Sequence, residues 1–473
     1  MLGVALSAHA TQVEVRDADS GELVSTAVVR HAETGPHDDD PTAWWRSLSL
    51  AITKAAERQI AAISVCGDHP GLVLVDGAGG ALRPMQPWAA ARSEVARLRA
   101  ALGSERWARR AGCVPDATTA VTRLAWLRRT DRATYDAIGT VLLPHDWLTY
   151  RLAGRAVTDR GSASTTGLWS PHTERWIPDV IELLADPGRL EEWAAMLPEV
   201  IGPADRADWL DAPVYELLGV RGRPLVAPGT GTPMAIALAL ELERGRIGVA
   251  LDERTTVFAR LDAPVVDATG VVQSRADATG RHLAVTETGG GAALVESMAE
   301  LLDLHLPDMG AAALRSEPTA EVVVLPGAPP HSRASVLGLG ADIGRDELAR
   351  ATFEGVACAA LTAVDAATEA GARWYDDEPL HLTAPAATGP VHAQVLADLA
   401  GRPVLVAPGS LAAAGACIQA AAVLRDAAPE AVAAEWQLGQ GRWFDPDDDP
   451  TRDHRRAVFA EARTRQERAR NPG

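Results

Sequence analysis

The chain has 473 residues, which is long for a single hydrophobic core and favours two or three domains. Apolar residues make up 47% and charged residues 23%, the composition of a globular protein. The net charge of −18 opposes the approach of phosphate backbones and anionic lipid, so neither nucleic acid nor a membrane is an expected partner.

Nothing in the sequence indicates export. The N-terminus opens on an apolar, strand-like run without the basic segment and cleavage site of a signal peptide. No apolar stretch approaches the roughly 20 residues that a membrane helix needs. The four cysteines are far apart and form no CxxC pair, which is typical of reduced, buried thiols. We therefore expect a cytoplasmic protein.

Strand and helix patterns alternate from the beginning of the chain. Apolar residues at helical spacing, among them Trp44 and Ile52, predict a first helix after an acidic loop. The predicted strands of the first half are 2–6, 12–17, 23–30, 60–65, 71–75, 141–143 and 224–227. The predicted helices are those near 44–52, 93–102 and 122–128, one ending at 152, and a long apolar helix ending near 243.

A second series of strands begins at Gly245, as if a second domain opened there. Its predicted strands are 245–251, 257–261, 282–286, 322–325, 379–382 and 403–406, with helices at 347–369 and 411–424. The tail from Asp445 holds an acidic cluster and an Arg-rich helix that we expect to be solvated. This order predicts an α/β protein with domains at 1–243 and 244–440, a cleft between them and a tail at 441–473.

Several segments of the chain are distinctive. They are RDADSGELV at 16–24, VLLPHDWLTYRL at 141–152, TDRG at 158–161, LWSP at 168–171, APGTGTPM at 227–234, DATG at 277–280, FEGV at 353–356 and GRPV at 401–404. These segments resemble the FGGY family of carbohydrate kinases, in particular its xylulokinase branch. They occur in the family's order from residue 1 to about 425, and their collinearity carries the resemblance.

The resemblance implies two actin-like, ribonuclease H-like domains. It also implies that sugar binds on the side of the N-terminal domain, and that ATP with magnesium binds on the side of the C-terminal domain. Transfer of a phosphoryl group depends on positioning and charge neutralisation, with a carboxylate that accepts the hydroxyl proton of the sugar. Each of these requirements corresponds to positions in the present sequence.

The catalytic base of the family is missing. The family places an Asp-Asn pair after the turn that reads Gly229-Thr230-Gly231 here, and this chain has Thr232-Pro233 instead. A threonine hydroxyl does not accept a proton at neutral pH, so no intact catalytic residue is predicted.

The phosphate and nucleotide loops also depart from the family pattern. The first loop keeps Ser7 but has no carboxylate for magnesium. The second, a Gly-Thr-Ser-Gly-Thr run in the family, reads Asp252-Glu253-Arg254-Thr255-Thr256 and adds negative charge where a triphosphate would lie. A family glycine turn reads Ala384-Pro385-Ala386-Ala387. We therefore predict no ATP or metal cofactor for this chain.

The sugar side is altered as well. Where the resemblance implies Gln-x-His-Gly the chain has Asp68 and His69, and where it implies Trp-Asn-Asp-x-Arg only Trp88 and Arg92 remain. These four residues are the candidates for contact with a substrate or ligand.

Three hypotheses follow. The first is a pseudokinase that acts by binding a small sugar-like ligand, a second copy of itself or an active kinase paralogue. The second is a weakly active pentulose kinase in which Asp159, Asp277 or another carboxylate replaces the lost base. The third is a different acid–base enzyme that uses Asp68, His69, Arg92, Asp252 and Glu253.

Overall fold

The computed structural model describes residues 1–35, 40–55, 59–67, 71–82, 91–252, 254–318, 320–327 and 333–470. The chain forms two compact units. The first unit consists of residues 1–241, 261–284 and 411–438, and the second of residues 242–260, 285–410 and 439–473. Both units contain strands and helices, which confirms the predicted α/β class.

The first unit contains most of the strands and helices of the N-terminal half. Its strands are β1 (Leu2–Leu6), β2 (Ala10–Arg16), β3 (Leu23–Arg30), β4 (Ala62–Gly67), β5 (Val73–Val75), β6 (Thr140–Leu142), β7 (Val157–Asp159), β8 (Trp169–Ser170), β9 (Arg175–Trp176), β10 (Glu199–Ile201), β11 (Asp208–Trp209), β12 (Leu225–Val226) and β15 (Gln273–Ala276). Its helices are α1 (Pro41–Ala55), α2 (Arg92–Leu102), α3 (Ser104–Ala111), α4 (Ala120–Thr130), α5 (Arg132–Asp136), α6 (Pro144–Ala153), α7 (Arg160–Ala163), α8 (Pro178–Ile181), α9 (Leu190–Ala194), α10 (Ala212–Leu218), α11 (Thr232–Ala239), α16 (Leu411–Arg425) and α17 (Pro429–Trp436), with a 3-10 turn at His31–Glu33.

A mixed six-stranded sheet in the order β11-β12-β4-β1-β2-β3 organises the first unit. Strands β12, β4 and β1 run parallel, and β1, β2 and β3 form an antiparallel meander. One face of β1 presents Leu2, Val4 and Leu6 to a core that includes Trp44 of α1. The other face carries Gly3, where a Cβ atom would lie 2.0 Å from the carbonyl oxygen of Ala413 in α16. A glycine is therefore required for α16 to approach the sheet so closely.

The second unit is built in the same way. Its strands are β13 (Ile247–Leu251), β14 (Thr255–Leu261), β16 (His282–Thr288), β17 (Val323–Leu325), β18 (Ser335–Leu337), β19 (Leu380–Thr383), β20 (Val404–Val406) and β21 (Arg442–Phe444). Its helices are α12 (Gly291–Leu301), α13 (Leu306–Arg315), α14 (Arg345–Glu369), α15 (Gly389–Ala400) and α18 (Arg452–Arg470). Here the strand order is β16-β14-β13-β19-β20-β21, with β13, β19 and β20 parallel.

The compact units are discontinuous in the sequence, whereas the domain boundaries predicted from the sequence, 1–243, 244–440 and 441–473, are continuous and stay a prediction. Residues 411–438 belong to the first unit because the apolar helix α16 packs on β1, β4 and α11. In α16, Gly415 lies so close to α11 that a Cβ atom would be 2.0 Å from the carbonyl oxygen of Ala235. The return of the chain to its first unit leaves no local signal in the sequence.

The C-terminal tail is a packed part of the second unit, which corrects the prediction of a solvated helix. Arg455 and Phe459 of α18 are only 4% and 5% exposed. Arg455 donates to Glu354 of α14 at 2.6 Å and pairs with Asp449 of the acidic cluster. Glu354 also accepts a 2.6 Å hydrogen bond from Arg350. The charged tail therefore supplies a buried ionic network that fixes α18.

No single described helix has both the length and the apolarity that a membrane span requires. Helices α16 and α17 meet them only as a pair, with a bend of 120° between them. All four cysteines are free and buried, as the sequence predicts, and burial raises the pKa of the Cys113, Cys358 and Cys417 thiols to about 12.

Candidate functional site

Strands β1, β4 and β12 run parallel, so their carboxyl ends lie at one edge of the sheet of the first unit. The turn with Ser7 follows β1 at this edge, and the glycine turn at 229–231 follows β12. Ligands of α/β sheets usually bind at the carboxyl ends of parallel strands, so this edge is the candidate site of the first unit.

The turn after β12 continues the sheet beside β4. The Thr230 amide donates to the Val65 carbonyl at 3.1 Å, and the Gly67 amide donates to the Thr230 carbonyl at 3.1 Å. Gly229 has a φ of +85°, and a Cβ atom there would lie 2.5 Å from the Val65 oxygen. Only glycine fits that conformation and that distance. The local backbone of the turn therefore requires the glycine at 229.

The side chain of Gln419 in α16 forms a hydrogen bond with this turn. Its side-chain amide donates to the Gly229 carbonyl at 2.9 Å and to the Pro203 carbonyl at 3.2 Å, and its oxygen accepts from Ser64 at 2.7 Å. Gln419 is fully buried, so these hydrogen bonds satisfy a side chain that burial would otherwise penalise. The sequence analysis gave Gln419 no role, although a lone Gln within an apolar helix is a signal for such a contact.

Asp159 is the buried carboxylate beside the turn. It accepts hydrogen bonds from the Gly161 amide at 2.8 Å, the Ser162 amide at 3.2 Å and the Thr230 hydroxyl at 3.0 Å. The first two cap the N-terminus of α7. Asp159 is 3% exposed, and its oxygens are used to hold the turn and the helix together.

His145 lies between two carboxylates. Its Nε2 atom is 3.1 Å from Oδ1 of Asp146, 3.6 Å from Oδ1 of Asp159 and 3.1 Å from the Ser162 hydroxyl. Burial alone would lower the pKa of His145, but the two carboxylates outweigh burial and raise its pKa to about 10. At neutral pH we therefore expect a buried imidazolium that neutralises the caps of α6 and α7.

A small cavity lies beside Asp146. It has a volume of about 10 Å³ and is lined by Asp146, Thr158, Leu143 and apolar neighbours. That volume holds about one water molecule and excludes a sugar. The hydrogen bonds of Asp159 and His145 give the cluster a structural role, because they hold the turn after β12 and the start of α7 together.

The position that the resemblance assigns to the base is occupied by the first residue of α11, and this assignment stays a prediction. Thr232 is half-buried there, and Pro233 follows it at a helix position that tolerates proline. Ser7 is exposed in the β1–β2 turn, where its hydroxyl donates to the Ala10 carbonyl at 3.1 Å and accepts from the Ala10 amide at 3.0 Å. The Ser7 hydroxyl therefore serves its own turn.

The substrate-side candidates are only partly described. Arg92 is exposed at the first position of α2. Asp68, His69 and Trp88, together with Glu253 of the second phosphate loop, lie outside the described residues. Their assignment as site residues stays a prediction.

The loop between β13 and β14 is the corresponding turn of the second unit. The Asp252 amide donates to the Arg254 carbonyl at 3.1 Å, and the Asp252 carbonyl accepts from the Ala292 amide at 2.6 Å. Arg254 forms a 2.8 Å ion pair with Glu287. Asp252 is therefore an exposed residue of this turn, and Arg254 is paired with Glu287 of the same unit.

A second loop of this unit also departs from the family pattern. Residues Ala384 and Ala386 lie in the turn before α15, where the Pro385 carbonyl accepts from the amides of Thr388 and Gly389 at 3.1 and 2.8 Å. Ala384 is half-buried and Ala386 is exposed. The added Cβ atoms and the proline ring take space that glycines would leave open.

Asp277, the other carboxylate considered as a replacement base, also serves a turn. Its oxygens accept from the Thr279 amide at 2.9 Å, the Thr279 hydroxyl at 2.9 Å and the Arg281 amide at 2.6 Å. The residue is 5% exposed. Asp277 therefore holds the hairpin that precedes β16.

Each of the two units contains a sheet with three parallel strands, and the glycine turn of the first unit follows one of them. This arrangement agrees with the two-domain architecture that the resemblance implies. The family model "FGGY family of carbohydrate kinases, N-terminal domain" matches residues 2–237, and the model of the C-terminal domain of that family matches residues 292–424. The chain belongs to the FGGY family of carbohydrate kinases, which confirms the resemblance found in the sequence.

Relatives of known sequence and structure agree with this assignment. The chain is 34% identical to the xylulose kinase of Streptomyces coelicolor over 94% of its own length and 92% of the relative's. It is 33% identical to the xylulose kinase of Streptomyces rubiginosus over 93% and 91%. The crystal structure of xylulose kinase from Bifidobacterium adolescentis matches with a TM-score of 0.79, 26% identity and coverage of 98% and 99%. The gluconate kinase of Lactobacillus acidophilus shares the fold with a TM-score of 0.84, 17% identity and coverage of 98% and 97%. The two-domain, actin-like fold expected from the sequence is thereby confirmed.

The described residues do not fit magnesium-ATP. The turn after β1 offers the Ser7 hydroxyl where magnesium requires carboxylate or water-holding oxygens. The turn after β13 places Asp252 where phosphates would need backbone N–H groups free of negative side chains.

Proposed function

We propose that this chain is a xylulokinase-like pseudokinase, which keeps the FGGY fold, does not phosphorylate pentuloses at a useful rate and acts by binding. One observation carries the proposal. The position of the family's base is Thr232, at the start of a helix whose preceding turn is fully formed. The scaffold that would aim the base is retained, while the group that would accept the proton is absent.

The two carboxylates considered as replacements for the base, Asp159 and Asp277, already accept hydrogen bonds from neighbouring groups. Asp159 accepts three hydrogen bonds and faces His145, and Asp277 holds a hairpin turn. Removing either from its partners would leave buried N–H groups unpaired. This occupation argues against the hypothesis that Asp159 or Asp277 restores kinase chemistry.

The nucleotide side supports the same conclusion independently. Asp252 adds negative charge to the turn that follows β13, and Arg254 is paired with Glu287. A triphosphate would meet an acid there and would have to compete for the arginine. The missing base and the altered phosphate loops are separate defects, and each of them alone would slow the transfer of a phosphoryl group from ATP to a sugar.

An active xylulose kinase is the second candidate function. Identity of 34% to a xylulose kinase along 94% of the chain favours it. Such an enzyme would need another carboxylate as its base, for example Asp68, which lies outside the described residues. The third hypothesis, a different acid–base enzyme, also depends on Asp68, His69 and Glu253, and we do not propose it.

Calorimetry on the purified chain separates these functions. Magnesium-ATP and D-xylulose are titrated separately and together, with the Streptomyces coelicolor enzyme as a positive control. The pseudokinase proposal predicts heats at the dilution level for magnesium-ATP up to millimolar concentration. Binding of magnesium-ATP at micromolar affinity, strengthened by the sugar, would support the active kinase instead. Binding of the sugar alone would define a ligand for the pseudokinase.

A further inference from the structure

The cavity beside Asp146 is lined by residues of both α6 and β7. Asp146 lies in the first turn of α6, and Thr158 is the middle residue of β7. Each of the two is only 1% exposed. The other residues that line the cavity are hydrophobic except for Thr166. Asp146, Thr158 and Thr166 are therefore the hydrophilic residues of this lining.

One carboxylate oxygen of Asp146 has a hydrogen bond, and the other lacks one. Oδ2 accepts from the Leu143 amide at 3.1 Å, whereas Oδ1 lies 3.1 Å from Nε2 of His145. That nitrogen carries a single hydrogen, and the Ser162 hydroxyl at 3.1 Å and Oδ1 of Asp159 at 3.6 Å lie around the same atom. Within the described part of the chain, Oδ1 of Asp146 forms no hydrogen bond. This oxygen is therefore buried and lacks a donor.

The charges of the cluster add to the need for a donor at Asp146. Two carboxylates, those of Asp146 and Asp159, share the single imidazolium of His145, so one negative charge is left over. Asp159 accepts from two amides and a hydroxyl. Asp146 accepts, among the described residues, from the Leu143 amide alone. A hydrogen bond to an ionised carboxylate is stronger than one between neutral groups, so a further donor would stabilise Asp146.

The Thr158 hydroxyl also lacks a partner. Its oxygen is buried, and it forms no hydrogen bond with any of the described residues. By contrast, the Thr166 hydroxyl donates to the Ala163 carbonyl at 2.6 Å and accepts from the Leu168 amide at 3.0 Å. A buried hydroxyl without a partner lowers the stability of a fold. Thr158 and Asp146 are thus two hydrophilic groups with unused capacity on the lining of one cavity.

We propose that one water molecule is a fixed part of the first unit and bridges Oδ1 of Asp146 and the hydroxyl of Thr158. The cavity of about 10 Å³ has the volume of one water molecule. Water can donate to the carboxylate and accept from the hydroxyl at the same time. A metal cation would require about six oxygen ligands, more than these two side chains supply.

The bridge connects the two elements that hold the buried cluster together. Asp146 and His145 lie in the first turn of α6, and Asp159 ends β7. A water molecule between Asp146 and Thr158 therefore links the segment that carries the imidazolium to the segment that carries its second carboxylate. The site belongs to the fold of the first unit, and it is the same whether or not the chain transfers phosphate.

Thr158→Val tests the bridge because it removes the hydroxyl and keeps the volume of the side chain. If water bridges the two residues, the variant leaves it with one partner, and Asp146 loses its donor together with the water. We then expect the unfolding equilibrium constant, measured in urea, to rise by about tenfold. In a dry cavity the hydroxyl would only be an unpaired group. Valine, which also suits a strand better, would then leave the constant unchanged or lower it.

Thr122→Val is the matched control. The Thr122 hydroxyl in α4 is likewise buried without a hydrogen bond to any described residue, but Thr122 does not line the cavity. This variant should leave the unfolding constant unchanged or lower it. High-resolution crystal structures of the wild type and of Thr158→Val give the direct observation. The wild type should show density for a water molecule within hydrogen-bonding distance of Asp146 and Thr158, and the variant should show none.

A wild-type crystal structure without density in the cavity overturns the proposal. So does a Thr158→Val variant that is as stable as the wild type or more stable, because the hydroxyl would then hold nothing. A water molecule that stays in place in the Thr158→Val crystal overturns the bridge to Thr158. If Thr158→Val does not fold, the wild-type crystal structure decides.

Discussion

The hydroxyl of Thr230 donates a 3.0 Å hydrogen bond to Oδ2 of Asp159, and both side chains are buried. This contact joins the glycine turn after β12 to the N-terminus of α7. It also engages the carboxylate of Asp159 beside the turn that leads to Thr232, the position assigned to the missing base. The same atoms that preserve the shape of the turn therefore prevent Asp159 from serving as a free proton acceptor.

The first prediction concerns the stability contributed by Asp159. Asp159→Asn removes the charge opposite His145 and weakens the cap of α7, so we expect a loss of about 2 to 4 kcal/mol in the free energy of unfolding. Urea unfolding measures this loss. Asp208→Asn, at an exposed position of β11, should change stability by less than about 0.5 kcal/mol. Equal effects of the two substitutions would contradict a structural role for Asp159.

The second prediction is a pH dependence that comes from His145. Its pKa is raised to about 10 in the folded chain, against about 6.5 when unfolded. The stability it contributes is therefore complete below about pH 6.5 and is lost as pH rises towards 10. The difference in unfolding free energy between the wild type and His145→Gln should shrink across that range, by at most about 1.4 kcal/mol per pH unit. A difference that stays constant across that range would mean that His145 is neutral in the folded state.

The third prediction assigns the support of the glycine turn to Gln419. Gln419→Leu leaves the carbonyls of Gly229 and Pro203 and the Ser64 hydroxyl without a partner. We expect a loss of about 1 to 3 kcal/mol and faster hydrogen exchange at the Thr230 amide. Unchanged protection of that amide would show that the turn holds itself.

The fourth prediction concerns the C-terminal helix. Arg455→Met leaves Glu354 and Asp449 without their shared cation, so we expect a loss of about 3 to 5 kcal/mol. Arg465→Met on the exposed side of α18 should change stability by less than about 0.5 kcal/mol, although it also removes an ion pair, with Glu461. Guanidinium unfolding of both variants compares the two faces of the helix. Similar losses would restore the view of α18 as a solvated tail.

The sequence predicted the regular elements well because their apolar periodicity is local. Strand β3 was predicted at 23–30 and occurs at Leu23–Arg30, and the helix predicted at 347–369 is α14 at Arg345–Glu369. The short helices α3 and α5 were missed, and the long helix expected to end near 243 stops at Ala239. Polar surfaces and small residues weaken the periodic signal in such elements.

The candidate site was predictable only where a single position decides the chemistry. The replacement of the base by Thr232 is readable from the family resemblance alone. The partners of Asp159, and the distance from His145 to Asp146, arise from contacts between segments far apart in the chain. The return of α16 to the first unit, which places Gln419 under the turn, has the same origin. These relationships depend on three-dimensional packing, which the pattern of residues does not encode locally.

The fifth prediction restores the missing carboxylate. Thr232→Asp places an acid in the first turn of α11, where the helix dipole favours it by about 0.3 to 1 kcal/mol, so the variant should fold at least as well as the wild type. Because the phosphate loops remain altered, we expect no sugar-dependent formation of ADP from ATP by this variant. A coupled assay of ADP formation measures it. Turnover by Thr232→Asp would show that the base was the only missing element.

The central claim is that the wild-type chain does not phosphorylate pentuloses. The most direct measurement is the rate of ADP formation from magnesium-ATP with and without D-xylulose, with the Streptomyces coelicolor enzyme assayed in parallel. The account predicts the same rate with and without the sugar. Sugar-dependent ADP formation, with the matching sugar phosphate detected by mass spectrometry, would contradict it.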